Sequence, residues 1–349
     1  MRSFDFSFLE HGMLPAELLN LTTEIYALKT ANAQRLNKYE TVFSELEALA
    51  RVQSVKGSNA IEGIITSDER IAQIVNQSSA PLNHDEAEIA GYRDALGLIH
   101  DNHQNLDFNR RDILDLHQVM LSYAGSAFGG TFKTDDNVIM EIDATGRRRV
   151  RFQPTPASET ADAMEQLELA YLDARDNPRV NQLLLIPCVI LDFLCIHPFR
   201  DGNGRMSRLL SLLLLYKNGF DAGKYISFEE QINNTKNQYY EALKQSSEGC
   251  HSKENTYIPF IKNFLSTLYL CYKELDYRFA VVGDRKFTKT ARVEAVVENS
   301  LAPISKAEIC RILPDISPST VEAVLGRMVK DQRITRLGMG PSTRYIRNK

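Results

Sequence analysis

The most apolar stretch of the chain, residues 183–199, runs directly into a polar string, HPFRDGNGRMSR, at residues 197–208. The apolar stretch contains Pro187 and Asp192 and is too short to span a bilayer, so it predicts a buried central helix. After the polar string the sequence turns apolar and helical again until Gly219. We therefore expect a polar turn between a buried central helix and a second, apolar helix.

The polar string has the composition of a phosphate-binding turn. Gly202 and Gly204 flank Asn203, and glycine accepts backbone conformations in which successive N–H groups point inward. A helix that begins at this turn directs about half a positive charge at a bound phosphate. Arg205 and Arg208 are three residues apart, so they share a helix face and can both reach polyphosphate oxygens.

Two further side chains in the string bring chemistry to the phosphate site. Asp201 is a hard oxygen ligand of the kind that Mg²⁺ combines with phosphate oxygens and water. His197 remains as a proton acceptor, because an imidazole with a pKa of about 6.5 can take a proton from a hydroxyl at neutral pH. The string matches neither GxxxxGK[ST] nor the GxGxxG loop of dinucleotide folds. A buried turn before a core helix would explain Phe199 and the leucines, but not the glycines, the asparagine and the arginines.

The string resembles the Fic family signature, HxFx[DE]GNGRxxR, at all eight of its fixed positions. The resemblance implies a mainly α-helical Fic fold with a β-hairpin flap. It implies a protein adenylyltransferase, which moves AMP from ATP to a Ser, Thr or Tyr hydroxyl of a target protein. It makes His197 the general base and Asp201 the Mg²⁺ ligand. Asn203 and the backbone of residues 202–205 would cradle the α-phosphate, and the two arginines would bind the β- and γ-phosphates.

A second motif, SNAIEG at residues 58–63, matches the [ST]xxxE[GN] inhibitory motif of the same family. On a helix, Ser58 and Glu62 are four residues apart and share a face, and Gly63 is a natural stop. The resemblance implies that Glu62 pairs with Arg208 and so misaligns ATP. The motif precedes the core, which is typical of the class with an N-terminal inhibitory helix. Taken alone, a helix ending in Glu-Gly is also compatible with a solvated face.

A hairpin signal lies between the two motifs. Val138-Ile139-Met140 and Val150-Arg151-Phe152 are rich in β-forming residues and flank a turn at Thr145-Gly146. The resemblance implies a flap beside the active site, whose edge pairs with an extended segment of the target protein. Val138 and Ile139 would then border the nucleotide. The alternative is an ordinary surface hairpin with a basic tip.

Downstream of the signature helix, a tyrosine pair precedes a short polar segment. The resemblance makes Tyr239, Tyr240 and Ser247 contacts of the adenine on the far wall of the nucleotide pocket. Family members often carry Asn at the last of these positions. Serine is shorter and offers one hydroxyl, which weakens the expectation of strict adenine selectivity. A tyrosine pair on a helix also commonly serves packing.

Composition agrees with an intracellular regulatory enzyme. A chain of 349 residues predicts two or three domains. Its five cysteines are scattered without CxxC spacing, so they indicate neither a disulfide framework nor a zinc cluster. The N-terminal sequence has no uninterrupted apolar region of the signal-peptide type. We therefore expect a cytoplasmic protein without a membrane partner.

The C-terminal part of the chain differs in charge from the rest. Residues 286–349 hold twelve Lys or Arg against six Asp or Glu, although the whole chain has a net charge of −4. Three helical segments followed by two short strands around glycines resemble a winged helix-turn-helix domain. Ser317 and Pro318 fit the N-cap and first position of its third helix.

The sequence does not decide whether this domain binds DNA. Six basic side chains could contact phosphates: Arg327, Lys330, Arg333, Arg336, Arg344 and Arg347. Glu322 and Ala323, however, lie early in the third helix, where base-reading Arg, Asn or Gln would be expected. Protein docking or dimer packing is the alternative use of such a domain.

The sequence thus predicts a helical arm with the inhibitory motif at residues 1–85, a Fic core at 86–282 and a winged helix at 286–349, with a charged linker around 283–289. His117 lies on an amphipathic helix and is predicted to be a packed or half-exposed histidine, not a ligand.

The leading hypothesis is autoinhibited AMP transfer. The alternatives are reverse hydrolysis, in which Glu62 positions a water, transfer of another phosphate-bearing group, and a nucleotide-sensing DNA-binding regulator. Glu62 could act within one chain, or a homodimer could relieve its inhibition.

Overall fold

The structure, a computed structural model, describes residues 4–11, 13–36, 40–142, 147–252, 254–283, 288–298, 300, 303–313, 315–338, 340 and 343–348. The chain divides into two compact units. Unit 1 comprises Met1–Tyr26 and Ala50–Cys271, and unit 2 comprises Ala27–Leu49 and Tyr272–Lys349. The three-segment division and the linker around residues 283–289 stay predictions.

The described residues are mainly α-helical, as predicted. The helices in the N-terminal half are α1 (Ala16–Leu36), α2 (Glu40–Ile61), α3 (Asp68–Gln77), α4 (His84–Asn102), α5 (Arg110–Leu121) and α6 (Ala157–Asp176). Those that follow are α7 (Gln182–Ile196), α8 (Asn203–Lys217), α9 (Ala222–Tyr225), α10 (Phe228–Asn234), α11 (Lys236–Ser247) and α12 (Ile258–Gly283). No helix among these residues combines the length and the hydropathy needed to cross a membrane.

Helix α7 is the predicted central helix. Every residue from Leu183 to Ile196 is buried, which explains why the sequence there is apolar on all sides and lacks an amphipathic period. The Asn181 side chain caps the helix by accepting a hydrogen bond from the Leu183 N–H. The helix ends at His197, which adopts a left-handed backbone conformation.

Helix α8 begins at the glycine-rich turn and packs against α7, α4 and α5. Gly202 is its N-cap residue, with φ of +82°, a conformation that glycine adopts without a steric penalty. The helix is buried from Arg205 to Tyr216. This places the start of α8, and therefore the polar string, between buried helices of unit 1.

Helices α4 and α5 pack closely enough to require a glycine. A Cβ on Gly91 would overlap the backbone carbonyl of Met120. By contrast, a Cβ on Gly97, on the same helix, would meet no atom within 4 Å. The close approach positions α5 beneath the polar turn that precedes α8.

The predicted hairpin forms from β1 (Ile139–Ile142) and β2 (Arg148–Phe152), which pair antiparallel. Ile139 lies opposite Phe152, and the register shifts after Ile139. The predicted turn at Thr145-Gly146 lies outside the described residues. Several apolar side chains of the hairpin are about half exposed: Val138, Met140 and Val150.

In unit 2, α13 (Lys289–Glu298), α14 (Lys306–Ile312) and α15 (Pro318–Lys330) accompany an antiparallel sheet. Its strands are β3 (Ile304–Ser305), β4 (Ile334–Leu337) and β5 (Arg344–Arg347), in the order β3-β5-β4. The three predicted helices and the two predicted strands, here β4 and β5, are present in the predicted order. Strand β3 was not predicted, because two residues carry no periodic signal. The Ser317 side chain caps α15 with Pro318 in the first position, as expected.

Candidate active site

A cavity of about 530 Å³ lies in unit 1 at the N-terminal end of α8. Its volume is in the range of small-molecule sites. The predicted site residues that line it are Glu62, Val138, Ile139, His197, Asp201, Gly202, Asn203, Gly204, Arg205, Arg208, Tyr239, Tyr240 and Ser247. Of the predicted set, Ser58 and Gly63 do not line the cavity, although Ser58 contacts Arg208. Folding therefore brings together residues that are spread over nearly two hundred positions of the chain.

His197 is oriented by the end of α7. Its backbone N–H donates to the Phe193 carbonyl, and its φ of +53° is a conformation that costs a non-glycine residue about 1–3 kcal/mol. Its Nδ1 lies 3.4 Å from the Leu194 carbonyl oxygen, so Nδ1 carries the proton and Nε2 is the acceptor. Burial, aided by the positive charge of Lys133, lowers the pKa of His197 from 6.5 to about 4. The imidazole is therefore neutral at pH 7.

Lys133 connects the base of the hairpin to the segment that carries His197. Its side chain is buried, and Nζ donates to the Asn137 Oδ1 at 2.8 Å and to the Ile196 carbonyl at 3.2 Å. Its backbone N–H donates to the Pro198 carbonyl. Burial lowers the pKa of Lys133 to about 8. Sequence reasoning missed this residue, since a single lysine before a hairpin carries no motif.

Asn203 shapes the glycine-rich turn through its side chain. Its Oδ1 accepts from the Phe199 N–H at 2.9 Å, and its Nδ2 donates to the Phe199 carbonyl at 2.7 Å. The carboxamide is thus occupied by the turn itself. Helix α8 has no side-chain cap, and the first N–H groups of a helix have no partner within it. The predicted phosphate cradle therefore depends on the backbone of this turn.

Asp201 is the acidic residue of the polar string, and its side chain is 74% exposed. Its Oδ1 accepts from the Gly202 N–H, and its Oδ2 lies 3.4 Å from Nη2 of Arg205. Within the described part of the chain, no group of three or more His, Cys, Asp or Glu could hold a metal ion. One exposed carboxylate fits Mg²⁺ that arrives with phosphate oxygens and water better than it fits a resident metal.

The two arginines of the string have different surroundings. The Arg205 side chain is 2% exposed, and its Nη1 lies 2.5 Å from Oε2 of Glu88 on α4. Arg208 is equally buried, and its Nε donates to the Ser58 Oγ at 2.8 Å. Its Nη2 donates to the Ser58 carbonyl at 3.0 Å and to the Glu62 Oε1 at 2.7 Å. Arg205 is therefore held by the core, and Arg208 by the inhibitory motif.

Glu62 lies one residue beyond the end of α2, in a turn that Gly63 closes with φ of +83°. The last helical carbonyl, that of Ile61, accepts a hydrogen bond from Lys236 Nζ on α11. The carboxylate of Glu62 lies over Gly204, where an added Cβ would overlap Oε1. It thus occupies the N-terminal end of α8, which is where the helix dipole favours an anion.

Buried polar contacts hold the end of α2 in place. Ser54 Oγ donates to Ser227 Oγ at 2.9 Å, and a Cβ on Gly57 would lie 2.9 Å from Oε2 of Glu230. Close packing and these hydrogen bonds leave α2 little room to shift as a rigid body. The side chain of Glu62 is 32% exposed, whereas Ser58 of the same motif is fully buried.

The opposite wall of the cavity is formed by α11. The rings of Tyr239 and Tyr240 meet edge to face with centroids 5.4 Å apart, and burial raises the pKa of both phenols. The Ser247 Oγ donates to the Lys244 carbonyl at 3.1 Å, so its single proton is already used within the helix. It can still accept a hydrogen bond.

Several residues of the cavity were not predicted from sequence. They are Ile64, Glu88, Arg151, Phe152, Leu194, Cys195, Arg200 and Leu243. They come from separate helices, the hairpin and loops, and no local spacing links them. Arg200 lies within the polar string and Ile64 directly follows the inhibitory motif, but neither is a fixed position of its motif.

His117 is packed, as predicted, but it also contacts the polar string. Its ring stacks on Phe199 with centroids 3.7 Å apart and planes 14° apart. Nδ1 accepts from the Gly130 N–H at 3.1 Å, and Nε2 lies 3.1 Å from the Asp201 carbonyl oxygen. Burial lowers the pKa of His117 to about 4. The amphipathic pattern of α5 indicated burial and gave no sign of these partners.

In unit 2, several of the cations that could contact DNA phosphates are paired with carboxylates. Arg327 Nη2 lies 3.0 Å from Glu294 Oε1, and Arg333 contacts both Glu294 and Glu298. Arg344 Nη1 lies 3.4 Å from Glu308 Oε2. These pairs reduce the positive potential that the net charge of this segment indicated.

Fold and site together define a mainly helical protein with a cavity at the N-terminus of a buried helix. Residues 107–215 match the Fic/DOC family. A Fido domain-containing protein of Dictyostelium discoideum is 30% identical over 139 residues, which cover 39% of this chain and 95% of that protein. The chain belongs to the Fic/DOC family.

Two further similarities concern a longer protein and a solved structure. The protein named protein adenylyltransferase Fic of Drosophila yakuba is 29% identical over 146 residues, or 42% of this chain. The match spans 26% of that protein's length. The crystal structure of a Fic family protein from Desulfovibrio desulfuricans G20 superposes with a TM-score of 0.62 at 20% identity, covering 97% of this chain and 98% of that one. The latter similarity shows the fold.

Proposed function

We propose that this protein transfers AMP from ATP to a Ser, Thr or Tyr hydroxyl of a protein. The observation that carries the proposal is the convergence of His197, Asp201 and the start of α8 on one cavity. The similarity to a protein named as an adenylyltransferase supports it. In this arrangement the triphosphate of ATP lies at the N-terminal end of α8, and its adenine lies toward Tyr239 and Tyr240 on α11.

In the proposed reaction the acceptor hydroxyl oxygen attacks the α-phosphorus of ATP. The bond between the α-phosphorus and the bridging oxygen breaks, and pyrophosphate leaves. Nε2 of His197 accepts the hydroxyl proton, which its neutral state at pH 7 allows. A base with so low a pKa is weak, so positioning and charge stabilisation supply most of the rate enhancement.

Asp201 is the residue that would hold Mg²⁺ bound with the nucleotide, and the ion would neutralise phosphate charge. Arg205 is already oriented by Glu88 and needs no rearrangement to face the cavity. The backbone N–H groups at the start of α8 supply fixed donors to a phosphate.

We propose further that Glu62 inhibits this reaction within the same chain. Its carboxylate pairs with Arg208 and lies over Gly204, so it takes two positions that a polyphosphate requires. Binding of ATP in a reactive geometry then requires displacement of the Glu62 side chain. Because Ser58 also binds Arg208, the arginine stays in place when Glu62 moves.

The hairpin is the proposed docking place for the acceptor segment. Val138 and Ile139 line the cavity. Val138, just before β1, and Met140 and Val150, on β1 and β2, are about half exposed. An extended peptide that pairs with a strand edge places alternate side chains on one face. A hydroxyl at such a position would be directed toward His197.

Unit 2 is better suited to protein docking than to DNA binding. The pairing of Arg327, Arg333 and Arg344 with carboxylates lowers the charge available to phosphates. Glu322, on the exposed face of α15, pairs with Lys306 and would oppose a phosphate backbone. A DNA-binding regulator is therefore the less favoured alternative.

The test is intact-protein mass spectrometry after incubation with ATP and Mg²⁺. The proteins compared are wild type, Glu62→Gly and Glu62→Gly/His197→Ala. A mass gain of one AMP in Glu62→Gly alone supports both the transfer and the inhibition. If no protein gains mass, the next test is whether the wild type removes AMP from a protein substrate that already carries it. Loss of AMP in that test would assign the reverse hydrolysis instead.

A further inference from the structure

His117 on α5 is a buried histidine whose two ring nitrogens have different partners. The side chain is fully buried, with 1% of the residue exposed. Nδ1 faces a backbone N–H, that of Gly130, so it must be an acceptor. In a neutral imidazole Nε2 then carries the proton and donates to the Asp201 carbonyl. The partners therefore define one tautomer.

The same residue supports the polar turn from below. Its ring stacks on Phe199, and Nε2 lies 3.5 Å from the place where a Cβ on Gly202 would be. That Cβ would also lie 2.5 Å from Cε of Met120, one turn further along α5. Helix α5 thus forms a closely packed floor under residues 199–202, with His117 as its hydrogen-bonding member.

We infer that His117 is a positioning residue for the reaction, because its Nε2–H fixes the peptide between Asp201 and Gly202. This peptide determines where the Asp201 carboxylate points and where the first N–H groups of α8 point. The Asp201 side chain is largely exposed, and its carboxylate contacts the Gly202 N–H and Nη2 of Arg205, so its direction depends on this peptide together with Arg205. The catalytic consequence rests on the function proposed above, whereas the ordering of the turn does not.

His117 also connects the turn to the segment that leads into the hairpin. Gly130, which binds Nδ1, is three residues before Lys133, and Lys133 contacts the carbonyl that precedes His197. The backbone of Gly130 has φ of +73° and packs against Gln118 on α5. The imidazole is therefore shared by the two chain segments that bound the catalytic side of the cavity.

Two variants separate the two hydrogen bonds. The amide nitrogen of Gln reaches about as far as Nε2, so His117→Gln can retain the bond to the Asp201 carbonyl. The amide of Asn reaches about as far as Nδ1, so His117→Asn can retain only the bond to Gly130. His100→Asn is the matched control, since His100 is also buried and contacts the Tyr216 hydroxyl at the C-terminal end of α8, away from the polar turn. Thermal melting checks that each variant is folded.

The first measurement is hydrogen–deuterium exchange of a peptide covering residues 198–204, which needs neither nucleotide nor metal. The second is kcat and KM for AMP transfer, with each variant placed in the Glu62→Gly protein. For His117→Asn we expect the amides of residues 198–204 to exchange about tenfold faster than in the parent protein. We expect kcat to fall by about 10- to 100-fold, while the KM for ATP changes by less than about threefold. For His117→Gln and His100→Asn we expect values within about threefold of the parent protein.

Equal exchange and equal kcat in the Gln and Asn variants would overturn the assignment, because a packing role does not distinguish the two nitrogens. The proposed function fails in a different way. If Glu62→Gly transfers no AMP while the Asn variant alone exchanges faster, the positioning of the turn stands and adenylyl transfer does not.

Discussion

Oε1 of Glu62 lies 2.7 Å from Nη2 of Arg208, a residue 146 positions later in the chain. Arg208 has a side chain that is 2% exposed, whereas that of Glu62 is 32% exposed. The arginine donates two further hydrogen bonds to Ser58, so the acid is the partner that can leave. Two short motifs thus meet in one ion pair whose removal is expected to open the cavity.

Replacement of Glu62 by glycine is expected to raise the rate of AMP transfer by at least about tenfold, because ATP no longer has to displace the carboxylate. A tenfold change corresponds to about 1.4 kcal/mol in the activation free energy. The gain should appear as a mass increase of one AMP per protein, measured over time. The same substitution at Glu69, an exposed acid in the first turn of α3, should leave the rate unchanged. An equal rise in both variants would show that the effect is not specific to the Arg208 contact.

The pH dependence of transfer should reflect the lowered pKa of His197. The base must be deprotonated to accept a proton, and its pKa is about 4, so activity persists as pH falls through 6.5. In the Glu62→Gly protein, kcat/KM should therefore be flat between about pH 6 and 7.5 and fall only toward the His197 pKa. A loss of half the activity near pH 6.5 would contradict this.

Lys133 contributes to that pKa through its charge. Lys133→Met removes a cation that disfavours the imidazolium, so the pKa of His197 should rise and the acid limb should move up by about one pH unit or less. Lys262→Met, at an exposed lysine that pairs with Glu17, is the control and should leave the limb in place. No shift in Lys133→Met would mean that burial alone sets the pKa.

Gly204 should matter even after Glu62 is removed. In Glu62→Gly the clash with the carboxylate is gone, but a methyl group at Gly204 would still cover the first turn of α8 where phosphate approaches. Glu62→Gly/Gly204→Ala should therefore lose about tenfold or more in kcat/KM for ATP, with an unchanged melting temperature. Gly97→Ala in the same background should keep full activity, since its Cβ meets nothing.

The packing of α4 against α5 predicts opposite effects for two glycines on one helix. Gly91→Ala should destabilise the protein by about 1–3 kcal/mol or more, because its Cβ overlaps the rigid Met120 backbone. Gly97→Ala should stabilise it by about 0.5–1 kcal/mol through helix propensity. Urea unfolding of the two variants measures both signs, and similar values would contradict the observed close approach.

DNA binding should be weak in the wild type and should increase when the carboxylates of unit 2 are neutralised. Glu294→Gln/Glu298→Gln releases Arg327 and Arg333, so affinity should rise and the salt slope should steepen by up to about two. Fluorescence anisotropy across salt concentrations measures both. Asp162→Asn/Glu165→Gln changes the same charge on exposed positions of α6 and should have little effect. Tight, sequence-selective binding by the wild type would favour the regulator hypothesis.

Much of the fold and the site could be predicted because the signals are local. The uniformly apolar run before His197 predicted the buried helix α7, and Gly202 predicted the start of α8. The capping residues Ser317 and Pro318 predicted α15 to the residue. The two motifs also predicted that Glu62 would pair with Arg208. Such features depend on backbone conformation and periodicity, which are encoded within a few neighbouring residues.

Other residues could not be found in this way. Glu88 and Arg151 carry no motif, and they line the cavity only because α4 and the hairpin lie beside the start of α8. Lys133, which also carries no motif, contacts the carbonyl that precedes His197. His117 looked like a packing residue because its helix is amphipathic. Its hydrogen bond to the Asp201 carbonyl joins positions 84 residues apart.

By itself the sequence determined the helices, the polar turn, the candidates for the reacting groups and the family signature, since each is a property of contiguous residues. Tertiary structure decided that the Glu62 carboxylate covers Gly204 at the start of α8, that Arg205 is paired with Glu88, and that Arg327, Arg333 and Arg344 of unit 2 are paired with acids. It also decided the protonation of His197, because burial beside Lys133 lowers its pKa. These properties depend on distance and solvent exclusion between segments that are remote in the chain, and no local pattern specifies them.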